Sequence, residues 1–339
     1  MIFKTGRCSI KVIKSRWVLL VFLFLVAHAQ SQTLESKDSL SLLQKIDRTF
    51  IDRDLSNYSL RVFTNYKAKV FKIKDDNSKS RYVPNNRYGI GLGFANSKML
   101  IDLAFNIKSK KNNATRRFDL QGTTILGKHN YVNFYIQSYK GFLVKNDFGA
   151  PTVFSPDVKS LTIGFNYLYT LSEIEFSYAL LKAGLAKKNK TVYFTGGLGT
   201  FAVFDYFSSD GNVIPESNYG FYNSQAQIKR YNSAAIGVLG GLLGVFILPK
   251  NIVLSCNVMP GIALMNKKVE LQHDSYRPSN PMLYKFDFSV AVNYNIDRFY
   301  VNVSYGNGVY STDLDFDNRY LFNLSNAKLA VGYRLKVKK

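Results

Sequence analysis

The feature that most restricts the fold of this chain is a two-residue alternation of apolar and polar side chains. It is clearest at 286–295, and it resumes at 299–306 after a short turn at 296–298. The same alternation occurs at 99–108 and at the C-terminal end, 329–337. Successive side chains of a β-strand point to opposite faces. The pattern therefore predicts an antiparallel all-β protein whose strands are apolar on one face.

A membrane barrel and a soluble β-sandwich both alternate in this way, and three features favour the barrel. The polar faces hold Gly, Ala, Asn and Ser, which suit a lumen better than the Lys and Glu of a solvated sheet. Tyr and Phe often end the apolar stripes, as the aromatic girdles of membrane barrels do. Many segments are about 9–15 residues long, enough for a tilted strand to cross a membrane. We predict an up-and-down transmembrane β-barrel, with a soluble β protein as the alternative.

The N-terminus has the organisation of a secretory signal peptide. Residues 1–16 carry five basic residues and no acidic one, and the apolar run Trp17–Val26 precedes Ala27-His28-Ala29. A spanning helix needs about 20 apolar residues, more than this run supplies. We predict that residues 1–29 are a signal peptide and that the chain is exported to a bacterial outer membrane. Cys256 is then the only cysteine, so no internal disulfide stabilises the exported chain.

A short segment separates the signal peptide from the barrel. Residues 30–58 are assigned to the periplasm, and 59–339 to the barrel. Apolar side chains recur in the first of these ranges at the three- and four-residue spacing of a helix, at Leu40, Leu43, Ile46 and Phe50. The spacing predicts a short amphipathic helix at the periplasmic mouth. A plug inserted in the lumen and a disordered segment are the alternatives.

Connections that alternate between short and long predict a meander of hairpins with its long loops outside the cell. The short turns are expected at 96–98, 127–130, near Ser172, at 249–251 and at 296–298. The longer loops are expected at about 75–86, 108–116, 144–157, 270–283 and 311–325.

Thirteen strands can be assigned in this way, including one at 174–184, although single-chain bacterial barrels have an even number. We attribute the odd count to 207–232, where a strand at Tyr219–Ile228 raises the number to fourteen. Discarding or merging a strand elsewhere lowers it to twelve. The prediction is 12–14 strands.

The chain is strongly basic, with a formal net charge of +22, or +17 once the five signal-peptide charges are subtracted. Nucleic acid is the usual partner of such a charge, but export argues against it. Outer-membrane lipid, and the phosphates of lipopolysaccharide in particular, are the expected partners. The candidate contacts are the basic residues of one predicted outer loop, Lys108, Lys110, Lys111, Arg116 and Arg117.

The first and last strands also carry basic residues, opposite their apolar faces. These residues are Arg61, Lys67 and Lys69 on the first strand, and Lys328, Arg334 and Lys336 on the last. Because first and last strands pair when a barrel closes, the six predict a basic wall and an anion-favouring lumen. The alternative is that Lys336 and its neighbours remain solvated at the periplasmic rim.

No residue pattern typical of catalysis or of a cofactor occurs. One cysteine and the two distant histidines His129 and His273 cannot build a metal site. His273-Asp274-Ser275 has the residue types of a hydrolase, but neighbouring loop residues cannot converge on one substrate. Gly89-Ile90-Gly91-Leu92-Gly93 is similar to a phosphate loop without the following helix. It predicts a strand with its glycines in the lumen, and we predict no enzyme and no cofactor.

Several short motifs of Gly, Asn and aromatic residues lie between about 35 and 339. They are Tyr82-Val83-Pro84-Asn85-Asn86-Arg87-Tyr88-Gly89, Phe118-Asp119-Leu120-Gln121-Gly122, Tyr139-Lys140-Gly141-Phe142, Lys187-Lys188-Asn189-Lys190 with Gly196-Gly197, Met259-Pro260-Gly261 and Val331-Gly332-Tyr333-Arg334-Leu335. On these motifs the chain resembles an uncharacterised family of Bacteroidota outer-membrane β-barrels, a domain of unknown function. The resemblance implies a barrel and no catalytic residues.

Three functional classes follow for such a barrel. A passive channel or small-solute transporter is the first expectation, because the predicted number of strands is sufficient for a pore. A non-transporting structural or binding barrel with lipopolysaccharide or protein partners is the second. An outer-membrane enzyme is the third. The sequence does not indicate which solute a transporter would carry or which protein a binding barrel would contact.

Overall fold

The computed structural model describes residues 57–76, 78–95, 100–106, 113–174, 191–296 and 298–336. All of them belong to one unit, Ile46–Lys339. The predicted signal peptide and amphipathic helix lie outside the described residues and stay predictions. No helix in the described ranges is long and apolar enough to cross a membrane.

The described strands make a single fourteen-stranded sheet. In chain order they are β1 (Asn57–Lys74), β2 (Lys79–Val83), β3 (Tyr88–Ala95), β4 (Leu100–Asn106), β5 (Arg116–Leu126), β6 (Asn130–Asn146), β7 (Val153–Thr170), β8 (Val192–Ser208), β9 (Arg230–Leu248), β10 (Ile252–Glu270), β11 (Ser275–Tyr276), β12 (Met282–Ile296), β13 (Phe299–Asp313) and β14 (Arg319–Lys336). Neighbouring strands pair antiparallel throughout.

Ten of these strands form a closed ring, in the order β1, β2, β6, β7, β8, β9, β10, β12, β13 and β14. The ring closes where β14 pairs with β1, from Asn57 opposite Lys336 to Lys74 opposite Arg319. The predicted transmembrane barrel is therefore confirmed as a closed antiparallel barrel. The predicted 12–14 strands agree with the fourteen segments of the sheet, while the closed ring within it has ten.

The two ends of the barrel differ in their connections. Tight turns such as 127–129 and 249–251 lie at one end, the short-turn end. The long-loop end carries the connections 147–152, 209–229 and 271–281. Strand β11 extends this end by pairing with the last residues of β10.

The wall divides at residues 84–87, a place we call the fork. On its long-loop side, β2 pairs with both β1 and β6 and so belongs to the ring. On its short-turn side, β3 pairs with β1 and β4, and β5 pairs with β6. In the short-turn half three strands, β3, β4 and β5, therefore lie between β1 and β6, where the long-loop half has β2 alone.

One predicted strand is wrong. The other doubtful one, at 174–184, lies outside the described residues apart from Ile174 and stays a prediction. Residues 219–228 form two short 3-10 helices, Glu216–Phe221 and Ser224–Ala226, instead of a strand. The connection 209–229 therefore joins two antiparallel neighbours, β8 and β9, and needs no strand of its own.

The outer surface of the barrel is apolar and its inner surface is largely polar. On β1, Leu60 and Val62 are 52% and 61% exposed, whereas Ser59, Arg61 and Asn65 between and beside them are buried. Other strands repeat this arrangement with exposed Ile90, Leu92, Phe165, Ile236, Val238, Leu264 and Val331. Apolar side chains that face outward on every side suit lipid as the surrounding medium.

Candidate functional site: the interior of the barrel

Pairing of β1 with β14 brings five residues of the predicted basic wall, Arg61, Lys67, Lys69, Lys328 and Arg334, onto one stretch of the inner surface. Arg61 and Lys69 are buried, and Lys67, Lys328 and Arg334 are partly buried. The side chain of Lys336 lies outside the description, although its backbone pairs with Asn57.

These basic residues form a column along the wall and not a ring around the lumen. Arg61 and Lys69 are eight positions apart on one strand, about 26 Å at about 3.3 Å per residue. Several have partners within the barrel: Lys328 lies over the Phe63 ring, and Arg334 bonds Asn295 and lies over the Tyr300 ring. The pairing of β1 with β14 therefore does not produce a ring of charges at one level, which is the arrangement that selects ions.

A buried ion pair crosses the lumen in the long-loop half. Lys69 Nζ on β1 lies 2.5 Å from Asp205 Oδ1 on β8, and both side chains have no exposed surface. Lys69 also donates to Ser160 Oγ at 2.5 Å. Asp205 accepts further hydrogen bonds from Thr162 Oγ1 and from the Tyr320 hydroxyl, each at 2.6 Å. Strands β7, β8, β1 and β14 are thereby joined through the interior of the ring.

A second polar cluster crosses the lumen at another set of strands. Lys285 Nζ on β12 donates to Asn166 Oδ1 on β7 at 2.5 Å and lies 2.9 Å from Asp287 Oδ2. The hydroxyls of Tyr135 on β6 and Tyr310 on β13 are 2.7 Å apart. Because β6 and β13 are not neighbours in the ring, this hydrogen bond connects separate parts of the wall.

Aromatic rings fill the lumen beside the Lys69–Asp205 pair. The aromatic layer, as we call it, consists of seven buried side chains, Phe71, Tyr82, Phe142, Phe207, Tyr231, Tyr320 and Phe322. Phe71 stacks on Tyr82 with ring centroids 4.2 Å apart and on Phe207 at 5.2 Å, and Phe207 stacks on Tyr231 at 5.0 Å. The layer therefore closes the lumen with packed rings from β1, β2, β6, β8, β9 and β14.

The connection 209–229, called the lid below, covers the aromatic layer at the long-loop end. Its apolar side chains Val213, Ile214, Ala226 and Ile228 are buried. The Tyr82 hydroxyl donates to Val213 O at 3.1 Å, and the Tyr222 hydroxyl donates to Ser80 Oγ at 2.9 Å. Burial raises the pKa of the Tyr222 phenol, which therefore stays neutral and able to donate.

The other end of the lumen contains a polar cavity of about 100 Å³, called the chamber. Amide side chains dominate its lining, with Gln121, Gln137, Asn166, Asn257, Asn307 and Asn326. Tyr131, Tyr135 and Tyr310 contribute to the same walls, as does Asp287. Gln137 is 7% exposed, and its Oε1 has no hydrogen-bond partner among the residues that the structure describes.

Arg117, which was predicted from the sequence to contact lipopolysaccharide, connects the strands at the fork. Its side chain is 1% exposed and donates to Lys67 O at 2.7 Å and to Arg87 O at 2.9 Å. Arg117 also lies 3.8 Å from Asp119, whose other oxygen accepts a 2.6 Å hydrogen bond from the Tyr139 hydroxyl. The assignment of Arg117 to lipid is therefore wrong, because strand alternation turns this side chain inward.

Arg116, next to it, lies on the outer face with the exposed Phe118 and Leu120. The remaining candidate contacts, Lys108, Lys110 and Lys111, lie outside the described residues.

The residues that matter most in this interior were missed from the sequence. Asp205, Lys285 and Asp287 were not singled out, although each is a charge on the inward face of a strand otherwise rich in small and aromatic residues. Within the described ranges no three His, Cys, Asp or Glu residues could hold a metal ion together. His129 Nδ1 donates to Thr170 O at 2.8 Å, and His273 is exposed.

Comparison with known proteins gives a family for the chain and leaves its activity open. The family model described as Domain of unknown function (DUF4421) matches residues 45–335. No curated protein matches the chain. Among solved structures, the outer membrane protease OmpT from Escherichia coli is similar at 11% identity and a TM-score of 0.40, over 84% of this chain and 99% of that one.

Two further structures are similar at lower scores. The β domain of the Bordetella autotransporter BrkA matches at 8% identity and a TM-score of 0.33, over 82% of this chain and 99% of that one. The attachment invasion locus protein Ail of Yersinia pestis matches at 10% identity and a TM-score of 0.21, over 83% and 100%. Similarities at this level carry no inference about what the chain does.

Proposed function

The chain belongs to the DUF4421 family, a domain of unknown function. We therefore propose its role from geometry: it is a bacterial outer-membrane barrel that binds a partner molecule and does not conduct ions or solutes. In this proposal the long-loop half is a closed barrier, and the chamber is open to the short-turn side. The basic N-terminal segment followed by Trp17–Val26 supports export. The apolar outer surface supports insertion in the membrane.

The observation that carries the proposal is the aromatic layer with its buried ion pair. A passive channel needs a continuous path of water, whereas Phe71, Phe207 and Tyr231 are packed ring on ring inside the lumen. The lid adds a second apolar layer over them. Moving these groups aside breaks the contacts of Lys69 and Asp205, and an unpaired charge in a dry interior is costly.

The column of basic residues gives little support to an anion-selective channel. Lys69, its member nearest the aromatic layer, is neutralised by Asp205. A channel that opens when the lid moves is the second candidate, and the chamber on the far side of the layer favours it. Neither candidate needs catalysis, and we propose no enzymatic activity, cofactor or nucleic-acid partner.

Conductance in planar lipid bilayers tests the proposal. We expect the full-length mature protein to give no stable current steps. A variant in which residues 211–226 of the lid are replaced by a short Gly-Ser linker serves as the comparison, together with Phe71→Ala/Phe207→Ala. Stable steps in the unaltered protein, equal to those of the variants, would contradict a closed barrier. Steps in the lid variant alone would favour the gated channel.

Localisation is tested separately. We expect the protein in the outer-membrane fraction, with faster gel migration before boiling than after it. A protein released with the periplasmic fraction and showing one mobility would exclude a closed membrane barrel.

A further inference from the structure

The wall of the barrel contains a seam that backbone hydrogen bonds do not close. In the long-loop half, β2 completes the ring between β1 and β6. In the short-turn half, β4 pairs with β3, and β5 pairs with β6. Among the described residues no pairing joins β4 to β5, and the two strands do not run side by side. At the fork a side chain takes the place of such pairing, because Arg117 of β5 donates to Tyr88 O on β3 at 3.4 Å. The gap between β4 and β5 is called the seam below.

Strand directions limit what can fill the seam. β1 pairs antiparallel with β3, and β3 with β4, so β4 runs in the direction of β1. β6 runs in that direction as well, because β2 is antiparallel to both β1 and β6, and β5 runs opposite to β6. A single strand inserted in the seam would therefore be parallel to either β4 or β5, in a wall that is otherwise antiparallel. One added strand of a partner protein is thus a poor occupant.

The unpaired edges of the seam need a polar environment. Backbone N–H and C=O groups without a partner are costly in hydrocarbon, and such edges are tolerated at membrane depth only where they line a water-filled cavity. The chamber is such a place, because Gln121 and Thr123 of β5 belong to its lining. Gln121 faces inward and is nevertheless exposed, whereas Tyr135, its partner on β6, is 6% exposed. The chamber therefore continues into the seam.

The two faces of the seam differ in polarity. On the outer face, Phe105 of β4 and Phe118 and Leu120 of β5 are 63%, 58% and 45% exposed. On the inner face lie the amide of Gln121 and the hydroxyl of Thr123. A molecule in the seam therefore contacts apolar groups on the membrane side and polar groups on the lumen side. An amphiphile matches both sets of contacts.

The chamber limits the size and the charge of the polar part of this molecule. Its volume of about 100 Å³ is below the about 300–1,000 Å³ of pockets that enclose whole drug-sized ligands, so it admits a head group only. Asp287, with 21% of its side chain exposed, is the one charged residue among the described lining residues. Its partner Lys285 is fully buried and does not line the chamber. An anionic head group therefore meets a carboxylate and no basic lining residue, whereas hydroxyl donors meet amide and carboxylate oxygens.

We propose that the seam is a lateral portal for a membrane amphiphile with an uncharged, hydroxylated head group, of the acylglycerol type. The head group occupies the chamber, and the hydrocarbon chain stays in the membrane beside Phe105, Phe118 and Leu120. The molecule thus reaches the chamber from the membrane and does not cross the aromatic layer. This inference rests on the proposed binding role and names its ligand class and route.

Fluorescence quenching tests the portal, because Trp17 is the only tryptophan of the chain and lies in the predicted signal peptide. Single tryptophans are placed in the mature protein, in lipid vesicles, by Gln121→Trp, Leu120→Trp and Asn257→Trp. They report on the seam, on the outer face of the same strand, and on the chamber wall at β10, which is not next to the seam. The probe is stearoyl glycerol with two bromine atoms in its chain, because bromine quenches tryptophan at contact.

We expect a saturable loss of fluorescence for Gln121→Trp that excess unbrominated stearoyl glycerol reverses. Leu120→Trp should lose fluorescence in proportion to the probe without saturation, because it faces lipid. Asn257→Trp should keep its fluorescence, since the brominated chain stays outside the chamber. Dibrominated stearyl sulfate has a similar chain and an anionic head group, and it should bind at the Gln121→Trp site at least about tenfold more weakly.

Thr123→Trp, at the next inward-facing position of β5, is a second reporter and should be quenched like Gln121→Trp. Gel mobility before boiling checks that every variant forms a barrel. The portal is refuted if neither reporter loses more fluorescence than Asn257→Trp. A polypeptide that copurifies and prevents the quenching would place a protein segment in the seam and refute the lipid occupant. Equal binding of the sulfate would refute the head-group class.

Conductance of the same preparations is measured independently. A barrel that conducts refutes the closed barrier of the proposed function. A barrel that is silent and whose two seam reporters are not quenched refutes only the portal.

Discussion

Lys69 and Asp205 are joined across the interior of the barrel, from β1 to β8, with Nζ and Oδ1 2.5 Å apart and no solvent contact for either side chain. The pair lies against the aromatic layer, with Lys69 Nζ 5.2 Å from the centre of the Phe322 ring. Because its two members come from distant strands, the pair links opposite parts of the wall in addition to the hydrogen bonds within the sheet.

Lys69→Met should destabilise the barrel by about 3–5 kcal/mol, because Asp205 is left as a buried charge without its counter-charge. Lys69→Met/Asp205→Leu should recover part of this loss, since both charges are removed together. Urea unfolding in lipid vesicles measures the difference. Lys268→Met is the control, because Lys268 and Glu270 pair at an exposed position and such pairs contribute at most about 1 kcal/mol. Equal losses for Lys69→Met and Lys268→Met would contradict the assignment.

Gly164→Ala should cost about 1–3 kcal/mol through overpacking. A Cβ at Gly164 would lie 2.1 Å from Cζ of Tyr135, so the ring has to move away from its hydrogen bond with Tyr310. At Gly240, also within a strand, a Cβ meets nothing within 4 Å. Gly240→Ala should therefore be neutral or slightly stabilising. Unfolding midpoints of the two variants provide the comparison, and identical midpoints would show that Tyr135 adapts freely.

Arg116 and Arg117 should differ in what their loss affects. Arg117→Lys is expected to lower stability, because an ammonium group cannot reproduce the planar guanidinium donors that reach Lys67 O and Arg87 O. Arg116→Gln is expected to leave stability within about 0.5 kcal/mol and to reduce the lipopolysaccharide that copurifies with the protein. Lipid analysis and urea unfolding are measured for both variants. Loss of lipopolysaccharide from Arg117→Lys with unchanged stability, and loss of stability in Arg116→Gln, would place Arg117 at the surface.

Acid should weaken the contact between the loop after β6 and β2. Desolvation alone raises the pKa of Asp147, but hydrogen bonds from the Lys79 backbone and side chain outweigh it and hold the pKa below its ordinary 3.8. The contribution of this carboxylate is therefore present above that value and lost as pH falls through the lower pKa of the folded state.

The loss of stability in acid should be small, because the side chains of Lys79 and Asp147 are 40% and 43% exposed. The free energy of unfolding of Asp147→Asn should be lower than that of the unaltered protein at neutral pH, and the difference should shrink as the pH falls below 3.8. A difference that persists in acid would have another origin.

Alternation along single strands was sufficient to predict the two faces of the wall. Gly89, Gly91 and Gly93 are buried, while Ile90 and Leu92 are 55% and 60% exposed, as their order in the sequence indicates. The same rule separates Arg116 from Arg117, but grouping both with a basic loop obscured it.

Contacts through the lumen could not be predicted, because they depend on which strands lie opposite each other. Asp205 is 136 residues from Lys69, and the register of every strand between them determines whether the two side chains meet. The lid was assigned a strand from its length and the strand count. The lid is instead attached to the barrel by tertiary contacts on either side of its first 3-10 helix, Tyr82 with Val213 and Tyr222 with Ser80.

The pairing of β1 with β14 makes the last segment of the chain a condition for every other part of the barrel. All eighteen residues of β1 have their partner there, more than 240 positions later in the sequence. Closing so long a loop is the most entropically demanding step in building the ring. A ribosome that stops short of Arg319 releases a sheet with two open edges, each able to pair with another chain. Only a chain that is translated to its end can therefore close into a membrane barrel, and a shorter product is prone to aggregate.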